Sequence, residues 1–158
     1  MSRIKLRTMV VEDIYLFKDW LYKPHFAKWY IHPANWLDEF NNRNNEFNWI
    51  HHFIAEVDGV AIGFCQYYDY SLSGETWYNN VKVKDTYSID YMIGEEEYLG
   101  KRYGTEIILA LEEIIKAKTD AKQIIVQPEP SNMASRNTLL SAKYMFDEVH
   151  DIFFKKLV

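Results

Sequence analysis

Residues 87–105 read YSIDYMIGEEEYLGKRYGT, and this stretch restricts the fold more than any other part of the sequence. Its beginning is rich in β-branched and aromatic residues, which predicts a strand over residues 86–93. Gly100 and Gly104 follow, and glycines let a backbone approach a ligand closely. Isoleucines and leucines at helical spacing then predict an amphipathic helix, whose first turn offers unpaired N–H groups. Strand, glycine loop and helix together form a site suited to a pyrophosphate.

This motif alone leaves a second interpretation open, an ordinary turn with a glycine before a helix. Two better-defined phosphate motifs are excluded. The segment has no Gly-Lys-Ser/Thr, as a nucleotide P-loop would, and it lacks the three spaced glycines of a dinucleotide-binding turn.

The flanking sequence predicts a mixed α/β sheet with helices on both faces, because strands first pair locally and then alternate with helices. No linker or repeat interrupts it, so we expect one domain over residues 1–158. Asp58-Gly59 favours a tight hairpin. The other predicted elements are a strand around Ile4 and Leu6, a helix from Glu12 to Leu21, a short helix near Trp36 to Phe40, strands Phe53 to Val57, Val60 to Tyr68 and Ile124 to Gln127, a helix from Met133 to Ala142, and two strands between Tyr144 and Leu157.

The amino-acid composition limits the environments and partners that the protein is expected to have. The net charge of −5 argues against nucleic acid and is compatible with a cationic substrate, although the charge taken alone favours plain solubility as its explanation. The single cysteine, Cys65, cannot form a disulfide within the chain, so we expect a reducing cytoplasm. No signal peptide or apolar stretch long enough for a membrane span is visible.

The segment resembles the acetyl-coenzyme A loop of GNAT acetyltransferases, Gln/Arg-x-x-Gly-x-Gly/Ala. Gly104 occupies the last glycine of that pattern, whereas Leu99 and Arg102 depart from it. The resemblance covers nearly the whole chain and is strongest to the aminoglycoside 6′-N-acetyltransferases. It includes Ile62-Gly63-Phe64, residues 73–78 (SGETWY) and residues 128–132 (PEPSN). It implies an α+β GNAT fold, a mostly antiparallel mixed sheet of about six or seven strands.

The resemblance also implies a co-substrate, acetyl-CoA, and its binding residues. Backbone groups of Met92 and Ile93 would pair with the pantetheine arm, and Asn132 would lie near it. The pyrophosphate would be held by amides of Leu99, Gly100, Lys101, Arg102, Tyr103, Gly104 and Thr105.

Asp90 is the predicted catalytic residue, since the family places a carboxylate there facing the substrate amine. An amine attacks only when neutral, and a carboxylate can take its proton directly or through water. The alternative is a solvent-facing strand residue.

Aromatic and acidic residues predict a site for a polycation. The residues proposed to bind the substrate are Trp29, Tyr30, Glu75, Trp77 and Tyr78, together with Asp90. The tryptophans are alternatively core or loop anchors. We predict no metal site, because the histidines lack ligand spacing, and expect His51 and His52 to face solvent.

Two departures from the family concern the chemistry. Leu139 stands where the family commonly has a tyrosine that protonates the thiolate, and Gln127 replaces an acidic substrate contact. The acid is then another tyrosine, a water or dispensable.

The predicted function is direct transfer of acetyl to a primary amine, with an aminoglycoside 6′-amine as first choice of substrate. A lysine-like, siderophore or protein amine is the alternative substrate, and a non-catalytic acyl-CoA-binding module is the alternative of another class.

Overall fold

A computed structural model describes residues 3–77 and 83–157. Its seven strands form one sheet in the order β1-β2-β3-β4-β5-β7-β6. The strands are β1 (Ile4–Thr8), β2 (Ile50–Val57), β3 (Val60–Asp69), β4 (Thr86–Ile93), β5 (Gln123–Val126), β6 (Met145–Asp147) and β7 (Ile152–Lys156). The helices are α1 (Ile14–Tyr22), α2 (Pro24–Ala27), α3 (Pro33–Asn41), α4 (Tyr103–Lys118) and α5 (Met133–Ser141).

The sheet is antiparallel except where β4 meets β5. These two parallel strands pair only at their beginnings, Thr86 with Gln123 and Tyr87 with Ile124. Beyond Tyr87 the strands separate, so the second half of β4 has a free edge on the β5 side. This separation opens the sheet and creates a cleft between β4 on one side and β5 and α5 on the other.

Helices cover both faces of the sheet, as the sequence predicted. Helices α1 to α3 pack on one face, where Phe17, Trp20 and Phe64 are fully buried. Helices α4 and α5 cover the other face, where Leu111 and Leu139 are buried with Ile89 and other sheet residues. Side chains of β4 alternate between these two cores, so consecutive residues of this strand face opposite sides of the sheet.

The predicted β2–β3 hairpin is confirmed. Asp58 and Gly59 have φ angles of 50° and 81°, the left-handed pair that a type I′ turn requires. One prediction was wrong: His52 is buried rather than solvent-facing, because β2 alternation turns it toward Phe40 and Phe64. The sequence analysis also missed α2, which Pro24 begins at a position where its missing N–H is harmless.

No helix within residues 3–77 and 83–157 is both long and apolar enough to cross a membrane.

Candidate active site

A cavity of about 570 Å³ occupies the cleft between β4 and β5, a size typical of small-molecule sites. Its walls come from β4, the loop that follows, the first turn of α4, the end of β5 and the start of α5. Most residues that the resemblance assigned to the co-substrate line this cavity: Met92, Ile93, Leu99, Gly100, Arg102, Tyr103, Gly104, Thr105 and Asn132. Trp29, Tyr30 and Asp90 line it as well, whereas Lys101 does not.

The loop before α4 turns its backbone toward the cavity. Gly100 and Arg102 have φ angles of 72° and 67°, and Arg102 is the N-cap of α4. A left-handed arginine is strained, which explains why the family pattern has a glycine at this position. The amides of Tyr103, Gly104 and Thr105 belong to the first helical turn and have no intrahelical partner. They form the positive end of the α4 dipole, which favours an anion.

Gly104 lies where α4 and α5 approach each other. A Cβ atom added there would be 3.3 Å from Cγ2 of Thr138 on α5, which is tighter than ordinary van der Waals contact. A β-branched side chain would therefore push the two helices apart next to the loop of residues 99–105.

The free edge of β4 presents backbone groups to the cleft. The amide of Gly94 donates to Ile62 of β3 at 2.8 Å, so alternate residues of β4, including Met92, direct their backbone groups to β3. The backbone groups of Tyr91 and Ile93 face the cleft instead. Their carbonyls are approached by Tyr30 Oη at 3.2 Å and His25 Nε2 at 3.0 Å. Sequence analysis had missed Tyr91, because the register decides which residues of a strand face the gap.

Asp90 is a half-buried carboxylate on the side of β4 that faces α1 to α3. Gln66 Nε2 donates to its Oδ2 atom at 2.8 Å. Burial raises the pKa of Asp90 to about 7, Gln66 opposes the rise, and the nearby Glu75 adds to it. A carboxylate with this pKa is suited to accept and release a proton near neutral pH.

Two further carboxylates belong to the same electrostatic cluster, Glu39 on α3 and Glu75 after β3. Burial raises the pKa of Glu39 to about 7, with Asp90 contributing, while a hydrogen bond from Gln66 opposes the rise. Burial also raises the pKa of Glu75, which accepts a hydrogen bond from Tyr68 Oη at 2.6 Å. Glu39, Glu75 and Asp90 are called the acidic cluster below. Sequence analysis missed Glu39, since no local motif distinguishes it from any other helical glutamate.

The aromatic candidates separate into two groups. The Tyr30 ring stacks on Trp36 with centroids 4.4 Å apart, and both line the cavity with Trp29. Trp77 instead packs against Tyr70, 5.3 Å between centroids, in a small cluster with Ile125 and Ile152. Tyr78 lies outside the described residues.

Three other positions limit the chemistry. Cys65 is fully buried and burial raises the pKa of its thiol, so it is a poor nucleophile. Leu139 is fully buried in the core under α5. Gln127 lines the cavity and donates through Nε2 to the Asp151 carbonyl at 3.1 Å. Within residues 3–77 and 83–157 no group of three or more His, Cys, Asp or Glu side chains is arranged to hold a metal ion.

Comparison with known proteins gives consistent results. The family profile described as "Acetyltransferase (GNAT) domain" matches residues 9–152. Aminoglycoside N(6′)-acetyltransferases type 1 of Klebsiella pneumoniae and Serratia marcescens are each 26% identical over 136 residues, which is 82% of this chain and 68% of theirs. Among solved structures, aminoglycoside acetyltransferase AAC(6′)-Ib in complex with coenzyme A and kanamycin superposes with a TM-score of 0.85 at 22% identity, covering 98% of this chain and 95% of that chain.

The fold agrees with these matches, since nearly the whole chain superposes on that solved acetyltransferase. Since the family profile spans all but the ends of the sequence, the chain belongs to the GNAT acetyltransferases and is an acyltransferase enzyme close to the aminoglycoside 6′-N-acetyltransferases.

Proposed function

We propose that this enzyme transfers the acetyl group of acetyl-CoA directly to a primary amine of a cationic small molecule. The observation that carries the proposal is the position of Asp90, a carboxylate with a pKa of about 7 beside the free edge of β4. A base is needed at the place where an amine would meet a thioester lying along that edge.

Acetyl-CoA fits the cleft by the chemistry of its parts. The first turn of α4 offers backbone amides and a positive dipole to the pyrophosphate. The cleft-facing backbone groups of Tyr91 and Ile93 suit the amides of the pantetheine arm, which would extend the sheet where β5 has diverged. Asn132 lines the cavity and caps α5 by accepting from the Ser135 amide at 3.1 Å, so it fixes the wall opposite β4.

The transfer itself needs few protein groups. Asp90 takes a proton from the bound ammonium, and the neutral amine attacks the thioester carbonyl. The tetrahedral intermediate then loses a second proton from its nitrogen to water and expels coenzyme A as a thiolate, which leaves the acetylated amine as a neutral amide. Because Cys65 is buried and its thiol is poorly ionised, the acetyl group passes directly from donor to amine rather than through an acetyl-enzyme.

The acidic cluster supports a polycationic acceptor. Glu39, Glu75 and Asp90 come from three different elements. Asp90 and Glu75 raise the pKa of Glu39, and Glu75 raises the pKa of Asp90, so negative charges act on one another here. A substrate with several ammonium groups would relieve this repulsion. The similarity to aminoglycoside 6′-N-acetyltransferases makes an aminoglycoside 6′-amine the first acceptor to test. Lysine-like, siderophore and protein amines are the alternatives.

An amine panel followed by free-thiol release tests the proposal. The panel contains aminoglycosides with and without a 6′-amine, polyamines, lysine derivatives and lysine-containing peptides. We expect acetyl-CoA turnover with an aminoglycoside that has the 6′-amine, and much less with its 6′-hydroxyl counterpart. Equal rates on both would reject the 6′-amine as acceptor, and absence of thiol release with every amine would support a binding module.

Co-substrate binding is tested separately by thermal melting. A ligand at one hundred times its dissociation constant stabilises a folded protein by about 2.7 kcal/mol. Coenzyme A should therefore raise the melting temperature, and pantetheine without the pyrophosphate should do much less. A melting temperature unchanged by saturating coenzyme A would contradict the proposed site.

A further inference from the structure

Two hydroxyl groups meet across the cleft. The Tyr91 Oη atom, from β4, lies 2.7 Å from Ser135 Oγ, from α5. Both residues line the cavity. The pair is a direct polar contact from the free edge of β4 to the facing helix, and it lies in the gap that the diverging strands leave open.

Asp90 and Tyr91 are neighbours on β4, so their side chains point to opposite faces of the sheet. Asp90 is on the side of α1 to α3 and belongs to the acidic cluster. Tyr91 packs on the side of α4 and α5. A thioester next to both residues would have its acceptor amine on the Asp90 side. The sulfur, which leaves as the amine attacks, can then lie on the Tyr91 side.

Other tyrosines around the cavity are less suited to meet that sulfur. The Tyr30 hydroxyl already donates to the Tyr91 carbonyl, on the opposite face. Tyr98 and Tyr103 pack against each other near the first turn of α4, with ring centroids 5.6 Å apart. Tyr144 is buried and is not part of the cavity wall. Within residues 3–77 and 83–157, Tyr91 is the phenol best placed for the departing sulfur.

We propose that the Tyr91 hydroxyl, held by Ser135, donates a hydrogen bond to the coenzyme A sulfur as the carbon–sulfur bond breaks. This inference rests on the proposed function. The bonding electrons leave with the sulfur, and the thiolate takes its final proton from solvent. Ser135 supports the step by donating its own hydrogen to Tyr91 Oη when Tyr91 donates to sulfur, which strengthens both bonds.

The surroundings of Tyr91 favour this role. Ile89, Ile107 and Val126 also line the cavity, so the hydroxyl pair lies among apolar side chains, where a hydrogen bond to a developing charge is strengthened. Burial raises the pKa of the Tyr91 phenol, so it stays protonated and remains a donor across the working pH range. Leu139 on α5 has no hydrogen to donate, so the hydrogen bond to the sulfur is assigned to Tyr91 of β4 instead.

The direct test measures ionisation of the coenzyme A thiol in its complex with the enzyme. Thiolate formation is followed by ultraviolet absorbance against pH, with desulfo-coenzyme A as the blank. A hydrogen bond from Tyr91 lowers the pKa of the bound thiol, so Tyr91→Phe should raise it by about 1. Tyr87→Phe, on the same strand and face but outside the cavity wall, is the matched control and should leave it unchanged.

Kinetics supply the second readout. Tyr91→Phe should lower kcat about tenfold with little change in the affinity for coenzyme A, since a donor to a developing charge acts mainly in the transition state. Ser135→Ala should have the same effect at about threefold, and Ser135→Thr, which keeps the hydroxyl, should restore most of the rate.

The outcomes separate the two proposals. If wild-type enzyme does not bind coenzyme A, both fail. If it binds and Tyr91→Phe leaves the thiol pKa and kcat unchanged, the proposed function stands and the role of Tyr91 is rejected. Should Tyr91→Phe not fold, Ser135→Ala decides by the same absorbance measurement, and an unshifted thiol pKa again rejects the role.

Discussion

The proposed phosphate end and the proposed amine end of the site are built in different ways. At the phosphate end, one continuous segment, residues 99–105, supplies backbone amides and a helix dipole. At the amine end, the acidic cluster draws Glu39 from α3, Glu75 from the loop after β3 and Asp90 from β4, with Gln66 between them. The first site depends on backbone geometry, and the second depends on side chains that only folding brings together.

This difference predicts how each end responds to mutation. Side-chain substitutions should matter little at the phosphate end unless they alter the path of the backbone. At the amine end, the three carboxylates supply negative charge when they are ionised, so isosteric removal of a charge should change catalysis or binding without changing shape.

Asp90→Asn should produce the largest loss. The amide keeps the shape but cannot accept the ammonium proton, and loss of a general base costs about a hundred- to ten-thousandfold in kcat. Coenzyme A affinity should stay near wild type, because the proposed co-substrate site consists of backbone groups. Steady-state kinetics and calorimetry on the same preparations measure both quantities.

The pH profile distinguishes a base from a structural carboxylate. Wild-type kcat/KM should rise with pH through about 7, the pKa of Asp90, and Asp90→Asn should lose this limb. Asp120→Asn, an exposed residue outside the cavity, makes the same change in net charge and serves as the control. Near wild-type turnover of Asp90→Asn at every pH would show that catalysis uses another base.

Gly104→Val should weaken coenzyme A binding by about tenfold or more. The added side chain meets Thr138 Cγ2 and displaces the first turn of α4 from α5, and such overpacking costs about 1–3 kcal/mol. Binding is measured by calorimetry. Leu109→Val places the same β-branched residue at an exposed position of α4 and should bind normally. Unchanged coenzyme A binding by Gly104→Val would show that the loop of residues 99–105 is not part of the co-substrate site.

Glu39→Gln should raise KM for a polycationic amine about three- to tenfold, with little change in kcat. In the proposed site Glu39 contributes charge rather than a reacting atom, and partly exposed charge pairs contribute modestly. The effect should shrink as salt is added. Glu113→Gln, exposed on α4, is the charge-matched control. An effect on kcat alone, insensitive to salt, would contradict a binding role for the acidic cluster.

The smallest expected effect concerns stability. The folded-state pKa of Asp90, about 7, is above its ordinary value of 3.8, so the folded protein binds more protons between about pH 4 and pH 7. The free energy of unfolding therefore falls as pH rises through this window. Asp90→Asn removes that loss, so it should melt at least roughly 2–4 °C above wild type at pH 8 and close to wild type near pH 4. A constant difference at all pH values would show that charge is not the cause.

Local sequence patterns predicted most of the fold. The left-handed Asp58-Gly59 turn, strand β4 and helix α4 follow from turn chemistry, β propensity and apolar spacing, all of which act between residues close in sequence. The prediction that His52 faces solvent failed because the alternation of side chains along β2 decides which face of the sheet it occupies. The sequence of two adjacent histidines does not show which of them faces inward.

The candidate site was predictable to different degrees at its two ends. The loop around Gly104 is one segment, so its composition and position before a helix revealed it. The environments of Trp77 and Glu39 depend on packing partners far away in sequence. Trp77 packs against a small apolar cluster that includes Ile125 and Ile152. Glu39 lies near Gln66 and Asp90. Neither environment can be read from the neighbouring residues.

The sequence by itself determined the order of the strands and of the helices other than α2, the glycine loop before α4 and the presence of a carboxylate at position 90. Only the tertiary structure decided that β4 and β5 part after two residue pairs, that Tyr91 meets Ser135 across the gap, and that burial raises the pKa of Asp90 to about 7. The physical reason is range: backbone propensities act over a few residues, whereas strand register, desolvation and charge–charge repulsion depend on groups that only folding brings together.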